Sequence, residues 1–405
     1  MADQLQAETM TDHNARPAEV FRAFLKLGLT SFGGPIAHLG YFREEFVVRR
    51  QWLSDASYAD LVALCQFLPG PASSQVGFAL GLMRAGWMGA LAAFLAFTLP
   101  SALFLAVLAL GASRVEGALT LGIVHGLKIV AVAIVAQAVW GMARSLCPDR
   151  ARVAIAVAAV LLLAVAPGSI GMILAILLGG LAGLALSGGQ ASGDTWLDVP
   201  VSRSAGLLAL ATFLILLAVL PLLAGLGQGF ALMDSFYRAG SLVFGGGHVV
   251  LPLLQAETVQ QGWLSADTFV TGYAAAQAVP GPLFTFAAWL GALMQMPPNG
   301  AIGALLATLG VFLPGFLVLI AALPFWNWLR ARRWAQSAMQ GANAAVVGIL
   351  AAALYSPVFT SAVLNLLDFA LALGCFVALV VWRTPSWLVV LAGGAGGALL
   401  VAVTG

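Results

Sequence analysis

The chain has 405 residues, 61% of them hydrophobic and only 8% charged, with a formal net charge of +2. Soluble domains carry about 45–50% apolar and about 25% charged residues, so this chain cannot clothe a soluble surface. Continuous apolar runs exclude a β-barrel, the near-neutral charge offers nothing to nucleic acid, and three distant cysteines (Cys65, Cys147, Cys375) argue against a disulfide framework or thiolate metal site.

What remains is an all-α polytopic membrane protein. Residues 1–20 are polar and contain no cleavable signal peptide, so a cytoplasmic N-terminal tail is expected. Apolar runs follow at 27–42, broken by Gly33-Gly34-Pro35, and at 58–83, broken by Pro69-Gly70-Pro71. Further runs lie at 86–112, 117–143, 153–166 and 169–187, then a polar linker at 188–205 and a lone run at 206–226. The series resumes at 236–251, 268–294, 300–324, 338–355, 366–382 and 386–404.

The two series are copies. FLKLGLTSFGG (Phe24–Gly34) matches FYRAGSLVFGG (Phe236–Gly246), aligning Lys26 with Arg238, and Glu45 aligns with Glu257. Gln51–Ser54 matches Gly262–Ser265, and Gln66-x-x-Pro69-Gly70-Pro71 matches Gln277-x-x-Pro280-Gly281-Pro282. Leu99-Pro100 pairs with Leu313-Pro314 and Gly126 with Gly341. The domains expected are a first repeat at 21–187, an inverting helix at 206–226 and a second repeat at 230–405.

Loop charge orients the copies. Arg43, Arg49 and Arg50 follow the first segment, whereas its counterpart at 257–267 has no Lys or Arg. Arg144, Arg150 and Arg152 correspond to 356–365, again without a basic residue, while Arg114 corresponds to the trio Arg330, Arg332 and Arg333. Basic residues favour cytoplasmic loops, so the halves are expected upside down to one another, an inverted-topology tandem repeat. If the first two segments of each half are re-entrant hairpins, fifteen of the eighteen Lys/Arg fall inside; if they span, twelve do. That count favours broken, re-entrant helices, with the N-terminus cytoplasmic and the C-terminus outside.

Proline breaks inside apolar runs free backbone groups that lipid cannot satisfy. Small polar residues follow them: Ser73 and Ser74 after Pro71, Thr285 after Pro282. Such residues suit a half-helix N-terminus whose amides point at an anion. The glycine clusters Gly33-Gly34 and Gly245-Gly246-Gly247 admit close approach of backbone to a small ion.

These motifs, in two homologous halves from Phe21 to about Gly397, resemble the chromate ion transporter family. The resemblance implies a bacterial inner-membrane exporter of chromate, a tetrahedral oxyanion like sulfate, that confers resistance. It marks Gly33, Gly34, Pro35, Gln66, Pro69, Gly70 and Pro71, and in the second half Gly245, Gly246, Gly247, Gln277, Pro280, Gly281 and Pro282. Gly247 departs from the pattern, standing where the first half has Pro35.

A dianion needs compensating charge. Lys128 lies within run 117–143 with His125 one turn before it, either as counter-charge or as a lysine snorkelling from a displaced span. Lys26 and Arg238 are matched cations, either at the site or as interfacial anchors. His248, His38, Glu45 and Glu257 are the candidates for proton coupling. The partners expected are a small oxyanion and the lipid bilayer, without nucleic acid, cofactor or metal.

Leu186–Gln190 spells LSGGQ, but the chain's two lysines, Lys26 and Lys128, fit no phosphate loop, so no ATPase subunit is indicated. No H-E-x-x-H, G-x-S-x-G or intramembrane acidic pair suggests an enzyme. The spacings Gly179/Gly183 and Gly393/Gly397 fit close helix packing or a homodimer seam. Uptake or exchange of sulfate or another tetrahedral oxyanion by the same architecture is the alternative to chromate export.

Overall fold

The computed structural model describes residues 16–32, 34–112, 118–185, 200–244, 247–326 and 332–404, which form helices and connecting turns with no strand among them. Gly33, Gly245, Gly246, Arg114, Arg330, Leu186–Gln190 and most of the 188–205 linker lie outside the described residues.

The first half opens with α1 (Pro17–Thr30) and α2 (Gly34–Phe42), which runs on as a π-helical turn at Arg43–Arg49. The run at 27–42 is thus two helices separated by the glycine break. α3 (Asp55–Phe67) is capped by Ser54, whose hydroxyl accepts from the Ser57 amide, and stops before the Pro-Gly-Pro break. α4 (Ala72–Ala112) is not one rod: Ala85 and Gly86 leave helical geometry, and Gly81 packs against Gly89. Residues eight apart in a straight helix are about 12 Å distant, so the chain reverses into a short arm (72–84) and a long arm (87–112). α5 (Ala118–Leu146), α6 (Arg150–Val165) and α7 (Ser169–Leu184) complete the half, and α8 (Arg203–Leu223) stands alone.

The second half repeats the order with α9 (Gln228–Ser241), a 3-10 turn at Gly247–Val249, α10 (Val250–Thr258) and α11 (Ala266–Ala278). Ser265 caps α11 through the Thr268 amide as Ser54 caps α3. Then come a 3-10 turn at Leu283–Thr285, α12 (Phe286–Ala292), α13 (Gly300–Ala322), α14 (Arg333–Ala353), α15 (Leu366–Val380) and α16 (Ser386–Thr404). Among the described residues, five helical segments, at 72–111, 122–146, 203–226, 300–325 and 333–362, are long and apolar enough to cross a membrane, and the long arm of α4 alone remains so after the reversal. The protein is a multi-pass membrane protein.

Burial separates centre from periphery. Ile129 to Val135 of α5 are buried all round, whereas α8 leaves Leu207, Leu208, Leu214, Ile215 and Leu222 exposed for lipid.

The small-residue seams lie inside the chain and join opposite halves. Gly393 and Gly397 of α16 pack on Gly126 of α5, and Gly179 and Gly183 of α7 pack on Gly341 of α14. The sequence repeat matches Gly126 with Gly341 and the α16 pair with the α7 pair, so the two seams are equivalent. Each half supplies its last helix to the other. Glycine lets the backbones approach this closely, which satisfies the spacing without a second copy of the chain.

Candidate functional site: the crossing of four helix breaks

The Pro-Gly-Pro breaks lie against the glycine breaks of the opposite half. The Gly70 amide donates to the Val243 carbonyl (2.7 Å), and the Gly281 amide donates to the Ser31 carbonyl (2.9 Å). Positions 31 and 243, like 70 and 281, are matched by the repeat. A Cβ on Gly70 would come within 2.8 Å of Gly315 Cα, and one on Gly281 within 2.7 Å of Ser101 Oγ, with φ of +122° and +104° respectively. Gln75 Nε2 adds bonds to the carbonyls of Pro69 (2.9 Å) and Gly315 (2.8 Å). The two glycine amides expected to face a ligand are therefore spent on joining the halves, because broken backbone away from water needs partners.

Pro35 explains the departure at Gly247. The two matched positions face each other, and a Cβ on Gly247 would lie 2.8 Å from Pro35 Cγ. One ring fits at this meeting point, so one half carries proline and the other glycine.

Beside the crossing, the first half holds a buried polar cluster. His38, 0% exposed, lies 3.2 Å through Nε2 from the Ser31 carbonyl and 3.5 Å through Nδ1 from Ser73 Oγ. A carbonyl can only accept, so Nε2 carries the proton and Nδ1 is free to accept. Phe97 sets its ring edgewise against the imidazole. On the surrounding elements, Ser31 Oγ, Ser74 Oγ and Thr98 Oγ1 have no hydrogen-bond partner among the described residues, although these residues are at most 3% exposed. Ser73 and Ser74 occupy the first turn of the short arm of α4, where helical amides lack acceptors of their own.

The second half lacks this chemistry. Ser31, His38, Ser73 and Thr98 are matched by Val243, Val250, Phe284 and Phe312, and the two phenylalanine rings contact each other at 5.7 Å. Thr285, matched to Ser74, turns its hydroxyl back to the Pro282 carbonyl (2.8 Å). Instead, His248 Nδ1 meets the Tyr273 hydroxyl at 2.7 Å, and a Cβ on Gly34 would lie 3.9 Å from His248 Nε2. Gln277 is buried with Nε2 unpartnered among the described residues, while its match Gln66 is exposed.

Lys128 is elsewhere. Its ammonium pairs with Asp267 (2.9 Å) in the first turn of α11, while Pro280-Gly281-Pro282 follows that helix's other end, roughly 20 Å away by helical rise. His125 meets Asp368 at 2.9 Å on the same side of α5. Among the described residues no three His, Cys, Asp or Glu side chains are grouped to hold a metal.

The matched acids are buried rather than solvated. Glu45 receives Lys26 (3.4 Å), Arg49 (2.9 Å) and Arg50 (2.8 Å), and Glu257 receives Arg238 (2.9 Å), which also holds Asp234 (2.9 Å). Ion pairing allows both carboxylates to be buried. Lys26 and Arg238 are thereby fastened to these buried carboxylates and do not line the crossing. Burial pushes the Glu45 carboxyl up, but the Arg50 hydrogen bond and the Lys26 charge outweigh it and hold the pKa below its ordinary 4.5. Its stabilisation is therefore complete above the ordinary carboxylate range and is lost as pH falls through the lowered folded value. Glu45→Gln should cost about 1–3 kcal/mol, since the cations left behind are partly solvated. Thermal unfolding in detergent should show wild type losing its advantage over the variant at acid pH.

Ser31 and Thr98 were not singled out by sequence. Both adjoin repeat motifs, Ser31 before Phe32 and Thr98 before Leu99-Pro100, so a comparison of the halves for polar-to-apolar exchanges would have found them.

The chromate transporter family matches residues 18–184 and again 230–398. The chain belongs to the chromate transporter family. A chromate transport protein of Pseudomonas aeruginosa is 30% identical over 346 residues, covering 82% of this chain and 79% of that protein. A chromate transport protein of Cupriavidus metallidurans is 28% identical over 349 residues, covering 82% and 80%. An uncharacterized transporter of Methanocaldococcus jannaschii is 27% identical over 354 residues, covering 84% of each chain. No solved structure matches the chain. Membership supports a chromate transport role, an oxyanion as substrate and a transporter rather than an enzyme.

Proposed function

We propose that this protein is a secondary transporter of the bacterial inner membrane that exports chromate, with one oxyanion site beside His38. The observation that carries this is the set of three hydroxyls, Ser31, Ser74 and Thr98, buried without partners among the described residues and belonging to, or next in sequence to, the residues that contact His38. Buried hydroxyls left unpaired are costly, and a tetrahedral oxyanion would accept from all three together with the first-turn amides of the short arm. Ser31 precedes the Gly34-Pro35 break, and Ser74 follows the Pro69-Gly70-Pro71 break. Of their second-half counterparts, Gly247 packs on the Pro35 ring and the Gly281 amide joins the halves at the crossing.

A dianion held by neutral donors still needs charge balance. His38 next to the anion and His248 across the crossing supply candidate proton sites, which makes proton coupling the natural driving force. Glu45 and Glu257, held in ion pairs, serve the hairpin ends. The reciprocal exchange of Gly70 and Gly281 amides, the exchanged last helices and the opposite loop charges all support inverted halves with a cytoplasmic N-terminus and an outside C-terminus. Such halves allow alternating access around a fixed site.

The test is chromate uptake by everted membrane vesicles. Uptake should depend on an imposed pH gradient, collapse with an uncoupler and be competed by sulfate, which presents the same four oxygens. Ser74→Ala should raise the chromate KM about 5- to 10-fold, the loss of one hydrogen bond of about 1–1.4 kcal/mol. Uptake that ignores the uncoupler removes proton coupling, and an unchanged KM removes Ser74 from the site.

A further inference from the structure

Two helices that the repeat makes equivalent are in different situations. α3 and α11 have the same serine cap and the same Gln-x-x-Pro-Gly-Pro exit. Every residue of α11 from Phe269 to Gln277 is buried, and the helix packs between α5 and α16. α3 packs on α4, on the Arg43–Arg49 turn and, through Asp60 and Phe67, on Trp326, but leaves Asp55, Ala56, Ala59, Ala63 and Gln66 exposed along one face. That face is alanine and glutamine rather than leucine, unlike the lipid-exposed side of α8, so it is suited to pack on another helix. Its equivalent seat is α14 and α7, matched to α5 and α16.

The seat of α11 has an ion pair that the other lacks. Lys128 on α5 holds Asp267 in the first turn of α11. The matched positions on α14 are Gln340 and Asn343, in place of His125 and Lys128, and on α3 Ala56 stands in place of Asp267. Gln340 Oε1 and Asn343 Oδ1 are buried with no hydrogen-bond partner among the described residues.

We propose that Asp267 is a gating residue, and that its bond to Lys128 locks α11 shut while α3 stands open. In the opposite state α11 leaves α5 and α3 docks on α14, where the two unpaired amide oxygens receive the first-turn amides of α3. The lock suits reversible use: Asp267 is 66% exposed and returns readily to water, whereas Lys128, at 11%, is the partner that needs it. One closure is held by charge and the other by neutral amides, so removing the charge favours the second. This rests on the transporter reading above, but no substrate need be bound for it to operate.

Ala63 and Ala274 are matched alanines, one exposed and one fully buried, and report the two states. Ala63→Cys and Ala274→Cys are labelled with a maleimide in the purified full chain without chromate; the native cysteines are buried and supply a slow background. Labelling should be fast at 63 and slow at 274. Adding Asp267→Asn should slow position 63 and speed position 274, each about tenfold, and Asp267→Glu should restore the original pattern. Lys128→Met, which keeps the packed volume, should act like Asp267→Asn if the latter folds poorly. Rates unchanged by both neutral variants, or rising together at both positions, would overturn the gate. A failed gate with an intact Ser74→Ala effect would leave the binding site standing, and the reverse result would leave the gate.

Discussion

Converting His38, Ser73 and Thr98 to Val, Phe and Phe should abolish chromate transport while the protein still folds. These are the residues that the second half carries at positions 250, 284 and 312, where they form a packed apolar contact on the same backbone framework. The replacement is thus a side-chain set already shown to fit this arrangement of breaks, and overpacking should cost no more than about 1–3 kcal/mol. The site, by contrast, loses two hydroxyls and the imidazole, and its remaining donors are screened by the rings. At about 1–1.5 kcal/mol per group, losing these three reduces binding by roughly 150- to 2,000-fold. Vesicle uptake measured beside thermal unfolding checks both statements together. Substantial uptake by a folded triple variant would move the site away from His38.

The second large effect concerns the meeting of the halves. Gly247→Ala should destabilise the protein by about 1–3 kcal/mol, because its Cβ would press on the Pro35 ring. Pro35→Gly removes that ring, so the double variant should be more stable than the two single losses predict, by at least about 1 kcal/mol. Additivity in a double-mutant cycle, measured by unfolding in detergent, would show that the two positions do not face each other in solution. The cycle tests the geometry of the crossing without reference to transport.

Much of the architecture was legible in the sequence because lipid imposes simple rules. Apolar run lengths located the helices closely: 117–143 became Ala118–Leu146, and 386–404 became Ser386–Thr404. The breaks were legible too, since Pro-Gly-Pro sets two residues without a donor amide around a glycine that tolerates the left-handed φ seen at Gly70 and Gly281. Less legible was what the breaks do. The free amides of Pro-Gly-Pro suggested an anion, but the amides of Gly70 and Gly281 have carbonyl partners more than 170 positions away along the chain. Lys128 drew attention as the rare intramembrane cation, yet its partner Asp267 lies 139 residues further on. Nothing in local spacing announces such a pairing.

By itself the sequence determined an all-helical membrane protein, built twice over, with two interruptions per copy and the family to which it belongs. The first three follow from composition, periodicity and self-similarity, and the family from its paired motifs, all of which are written along one dimension. Only the tertiary structure decided that the copies exchange their last helices and their break amides, that a buried histidine and its neighbouring hydroxyls lie in one half, and that α11 is buried while its match α3 leaves one face exposed. The physical reason is that unpaired backbone and buried charge are satisfied by whichever group lies near in space, and the crossing of the two halves sets that neighbour.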